Sequence, residues 1–184
     1  MINRKCLLEL VFIFMLVVLR NGQPIYAAEK ESGHVPPSVA SAELETNRKI
    51  LVELFLAAER KSDLDQIKRE LEAVKITRIR PQFFKLGNPP QNIAIGKNIP
   101  ASVARLAIKL ARTYNRDIKT ILPEYRFFPD HIVIGSSAFD EKSEIPITPQ
   151  DLEKLSDPSL DTEAFHNLYR RLTGEDTRLP KYTD

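Results

Sequence analysis

Tryptophan is absent from this 184-residue chain, cysteine occurs once and glycine only six times. The one cysteine, Cys6, stands at the start, so the rest of the chain has no thiol for a disulfide, a redox centre or a metal. No Asn-x-Ser/Thr sequence occurs, which excludes N-glycosylation. Thirteen prolines against six glycines mean that turns lean on proline. A charge excess is missing too. The formal net charge of +2 comes from the first residues: without Arg4, Lys5, Arg20 and Glu9, 24 basic side chains face 24 acidic ones. A neutral chain has no global field to concentrate DNA or RNA, so no nucleic-acid partner is expected. The three histidines, His34, His131 and His166, show no His-x-His or His-x-x-x-His spacing. Neither a metal nor a cofactor is expected. Lys97 lacks the glycines of a phosphate loop, and Phe139 stands where a hydrolase elbow needs its second glycine.

What is present begins with export. Two basic residues, an unbroken apolar run from Leu10 to Leu19, the breaker Asn21-Gly22-Gln23-Pro24 and the small pair Ala27-Ala28 give residues 1–28 the layout of a signal peptide, cleaved or retained as an anchor. Ten apolar residues span only about 15 Å as a helix, half of a bilayer core, so a permanent span is the weaker reading. An exported chain without disulfides points to a bacterial cell envelope, periplasmic or extracellular, with membrane association only through this N-terminal segment. Residues 29–40, with Pro36-Pro37, read as a flexible linker.

Residues 41–75 predict a helical pair. Leu44, Ile50, Leu51, Leu54, Phe55 and Ala58 recur at three- and four-residue spacing, and Leu64, Ile67, Leu71 and Val74 repeat the pattern behind a Ser62 cap with Asp65. Residues 76–174 predict an α+β domain. Two short strands flank Pro81, which suggests a sheet edge or a bulge. Ile93-Ala94-Ile95-Gly96 and Ile132-Val133-Ile134-Gly135 rhyme as strands, with an amphipathic helix over 101–115 between them. That helix carries Val103, Leu106, Ala107, Leu110, Ala111 and Tyr114 inward, behind Pro100 at its start. A right-handed crossover between parallel strands is the default, with an antiparallel arrangement as the alternative. Ile118, Ile121 and Leu122 continue as a shorter helix stopped by Pro123. Two short C-terminal helices follow, capped by Thr148 with Pro149 and by Asp161, the second ending at Gly174. The tail, 175–184, is polar. The expected fold is therefore α+β, with a small three- to four-stranded sheet, a central amphipathic helix, an N-terminal helical pair and two short closing helices.

Charge is balanced in total and separated along the chain. From Thr77 to Phe127 ten Lys/Arg stand against Asp117 and Glu124; from Phe128 to Glu163 nine Asp/Glu stand against Lys142 and Lys154. Arg105, Lys109, Arg112 and Arg116 form a basic ridge on the central helix, mildly self-repulsive at this spacing. That argues for an offset, either the chain's own acidic segment or an anionic partner such as an envelope polymer or protein; a plain solvated face is the third reading. These four are the candidate binding residues, and no catalytic residue is assigned. The expected function is an exported envelope interaction or accessory domain, similar in kind to small bacterial envelope domains. The alternative is a small periplasmic hydrolase working from the Gly135–Asp140 turn, with Ser136 or Ser137, His166, and Asp140 or Asp161.

Overall fold

The run Ile50-Leu51-Val52-Glu53-Leu54-Phe55-Leu56-Ala57 is almost continuously apolar, which suits a strand buried on both faces. In the computed structural model, which describes residues 45–124 and 128–175, it forms strand β1 (Leu51–Ala57) in the middle of a sheet. The expected first helix of the pair is therefore replaced by a strand, because Ile50, Val52, Leu54 and Leu56 share one buried face at period two. The expected signal peptide and the expected linker, like the tail beyond residue 175, lie outside the described residues. So does His34.

After β1 a 3₁₀ segment (Ala58–Asp63) leads into helix α1 (Leu64–Ala73), which buries Ile67 and Leu71. Asp63, not Ser62, occupies the cap position, and it makes no side-chain cap bond. Strand β2 (Arg78–Phe84) is continuous across Pro81 and lies at the sheet edge, where a missing donor costs no ladder bond. Strand β3 (Asn92–Ile95) and helix α2 (Ala101–Tyr114) follow, with Val103, Ala107, Leu110 and Ala111 buried. The expected helix at 118–122 is instead strand β4 (Thr120–Ile121). Arg116 and Asp117 adopt φ of 59° and 81°, which ends helical propagation, and Thr120 and Ile121 then pair with β3.

Strand β5 (His131–Ile134), a 3₁₀ turn (Glu141–Ser143), strand β6 (Ile145–Pro146) and helices α3 (Pro149–Leu155) and α4 (Thr162–Leu172) complete the fold. Thr148 accepts from the Asp151 N–H and Asp161 from the Ala164 N–H, so both caps form where the sequence placed them.

The architecture is α+β with a mixed six-stranded sheet, not the expected three or four strands, in the order β2-β1-β5-β3-β4-β6. The rhyming strands are neighbours but run antiparallel, with Ile93 opposite Ile134 and Ile95 opposite Ile132. The parallel crossovers are β1-α1-β2 and β3-α2-β4. These units run in opposite directions and step to opposite edges, so right-handed crossovers place both helices on one face. Ile67 and Leu71 of α1, seven residues of α2, and Phe165 and Tyr169 of α4 all join one core with the same-face strand residues. Ala94, Leu122 and Val133, with Phe55 and Phe139, form a second small cluster. Among the described residues no helix is long and apolar enough to cross a membrane.

Candidate functional site

Helix α2 turns its apolar stripe to the sheet and its basic ridge to the helices around it. Arg105 Nη1 donates to the carbonyls of Leu160 (3.0 Å) and Asp157 (3.3 Å), in the loop between α3 and α4. Lys109 Nζ lies 2.8 Å from Glu70 Oε2 of α1. Arg112 reaches Glu153 of α3 at 2.8 Å and Asp117 at 3.4 Å. The contact is felt on both sides of the Lys109–Glu70 pair. Its hydrogen bond and charge raise the ammonium, while the same bond, with a second from Gln66, lowers the carboxyl against its partial burial. Three of the four ridge cations thus clasp α1, α3 and the α3–α4 loop onto α2. The fourth, Arg116, lies beyond the helix end and lines a different cleft.

The residues of the hydrolase alternative are not brought together. Ser136 follows β5 and Asn92 begins β3; Asn92 Nδ2 donates to the Ser136 carbonyl at 2.9 Å. His166 Nε2 lies 2.8 Å from the Ile99 carbonyl, beyond the other end of β3. Serine and imidazole therefore sit at opposite ends of the strands. Ser136 is buried, and its hydroxyl accepts from the Ala138 N–H. Asp140 caps the 3₁₀ turn through the Lys142 N–H, and Asp161 caps α4. Glu144 bridges Asn92 (2.7 Å) and Thr120 (2.6 Å). No group of three His, Cys, Asp or Glu among the described residues is arranged to hold a metal ion.

His166 and Glu124 form a buried polar pair that sequence reasoning missed, since 42 residues separate them. His166 Nδ1 is 2.6 Å from Glu124 Oε1, and Arg170 Nη1 is 3.6 Å from Glu124 Oε2. Burial pushes the Glu124 carboxyl up, but the His166 hydrogen bond and the charges of His166 and Arg170 outweigh it, and the net shift is downward. The Glu124 backbone N–H is taken by Glu175 Oε2, and Tyr169 Oη donates to the Leu122 carbonyl at 2.8 Å. Burial holds the Tyr169 phenol well above its usual range. The cluster fastens α4 to the segments after β3 and β4.

A cleft of about 570 Å³ opens at the carboxyl end of β1. Glu59, Arg60, Ser62 and Asp63 come from the 3₁₀ segment, Asn88 and Pro89 from the β2–β3 loop, and Tyr114, Asn115 and Arg116 from the end of α2. Two of its lining residues, Pro89 and Asn115, are held by close approach. Asn115 Nδ2 donates to the Pro90 carbonyl, and a Cβ on Gly135 (φ 77°) would meet that same nitrogen at 2.7 Å and Pro89 at 3.2 Å. The cleft draws on chain segments up to 59 residues apart, so no local pattern could have announced it. Comparison with family models, curated proteins and solved structures finds no match for the chain.

Proposed function

We propose that this chain is a non-catalytic interaction domain of the cell envelope, whose basic helix face is used on its own helices and acidic segment. The observation that carries the reading is the clasp of Arg105, Lys109 and Arg112 onto the α3–α4 loop, Glu70 and Glu153. Such exposed pairs add little stability each, about 0.2–1 kcal/mol for one like Arg112–Glu153, but they fix how three helices sit. The result is a stiff platform whose polar groups hold segments together. The Gly135–Asp140 turn fits this role better than hydrolysis, because its serine and aspartate already serve the turn and His166 is committed elsewhere. Export and envelope location rest on the N-terminal sequence.

The test is co-sedimentation of the full chain with isolated envelope fractions from a bacterial cell. Saturable retention that survives moderate salt is expected, with no turnover of simple ester substrates. A chain that stays wholly in the supernatant, or that hydrolyses esters in a Ser136-dependent way, would overturn the reading.

A further inference from the structure

Two open charges of opposite sign line one cleft, and we infer that this cleft binds a small zwitterion of the amino-acid or dipeptide class. The inference rests on the interaction-domain reading and names the site and chemistry it would use. Position is the first argument. Strands β1 and β5 are adjacent and parallel, yet the chain leaves β1 toward β2 at one edge and β5 toward β6 at the other. In open α/β sheets, the crevice outside the carboxyl ends of two strands whose connections diverge is where ligands settle. The cleft at the end of β1 lies there, and two of its lining residues, Pro89 and Asn115, sit close against Gly135 after β5.

Charge is the second argument, and it selects the ligand. Arg60 Nη1 lies 3.1 Å from Asp63 Oδ2, so these two neutralise each other within the cleft. Glu59 and Arg116 both line it from different elements. Neither has a side-chain partner among the described residues, and they do not pair with each other. A simple anion would gain Arg116 and be repelled by Glu59; a simple cation meets the reverse. A molecule carrying both a carboxylate and an ammonium group uses both. The guanidinium fork suits the carboxylate, and Glu59 accepts from the ammonium. Asn88 and Ser62 add an amide and a hydroxyl beside them, suited to a peptide unit between the charged ends.

The test is a titration of the ¹⁵N-labelled full chain with dialanine, and with acetate and ethylammonium as its two halves. Dialanine is expected to shift the amides of residues 58–63 and 114–117 saturably, at least about tenfold more tightly than either half. Arg116→Gln should weaken dialanine and acetate by about tenfold or more and leave ethylammonium unchanged, and Glu59→Gln should do the converse. Lys97→Ala, at the other end of the strands, should change nothing. Both tested side chains are exposed, and an unaltered spectrum elsewhere confirms that each variant folds. Shifts that rise linearly, fall outside the cleft, or ignore both variants would overturn the assignment. Envelope retention with no dialanine binding overturns this inference alone; loss of both overturns the interaction-domain reading with it.

Discussion

His166 has an acceptor at each ring nitrogen, the Glu124 carboxylate at 2.6 Å and the Ile99 carbonyl at 2.8 Å. Both side chains of the His166–Glu124 pair are buried, so this contact is made out of water. Glu124 is the partner whose titration can be followed. Its folded value lies below the usual 4.5, so its contribution to stability is fully present above 4.5 and is lost as pH falls through that lowered value. Urea unfolding between pH 7 and 3 should therefore show a steep acid limb that Glu124→Gln flattens. At pH 7 the same substitution should cost about 1–3 kcal/mol, because an amide replaces the buried carboxylate that sits 2.6 Å from His166 Nδ1. Parallel curves for the two proteins would contradict this. Gly135 makes a second prediction at this scale. With φ at 77°, Asn115 Nδ2 nearer than a real Cβ tolerates, and the Phe55 carbonyl and Pro89 in tight contact, Gly135→Ala should destabilise by about 1–3 kcal/mol in the same assay and disturb the Pro89–Asn115 wall of the cleft.

At the scale of elements, helices were legible where a cap and a stripe agreed. Helix α2 has Pro100 before an unambiguous apolar stripe, and α3 and α4 have Thr148 and Asp161 as caps. Strand β1 was misread because Leu51, Leu54, Phe55 and Ala58 satisfy a helical spacing as well as the strand does. Periodicity cannot separate a strand buried on both faces from a buried helix, and the partners that decide it, Ile79 of β2 and Ile132 of β5, lie far along the chain. The role of β1 gives a direct check. Leu54 is fully buried between two parallel neighbours, and Leu54→Ala should cost about 2–5 kcal/mol by urea unfolding. Amides of Leu51–Ala57 should be among the slowest to exchange with deuterium; rapid exchange there would contradict a central strand. The segment 118–122 was misread for a different reason. Nothing in Asn115-Arg116-Asp117 marks two successive left-handed residues as a glycine would have done.

For the molecule as a whole, both edges of the sheet carry a proline, Pro81 in β2 and Pro146 in β6. Each removes a donor that another strand could use, so the sheet resists extension by a second copy. Pro81→Val should increase self-association, seen as a larger species in sedimentation velocity; an unchanged profile would show that the edge is protected by other means. The candidate site was partly legible. The basic ridge is visible in sequence as four cations at helical spacing, and its self-repulsion argued for an offset. Which groups supply that offset was not visible, because Glu70 and Glu153 come from helices before and after α2. The cleft was invisible altogether, being assembled by topology from three separated segments. The most direct test of the whole account is the double charge reversal Arg105→Glu, Arg112→Glu. If the ridge fastens the helices, the thermal midpoint falls by several degrees while the folded fraction keeps its envelope retention. An unchanged midpoint with retention lost would show that the ridge faces a partner instead, and would contradict the account.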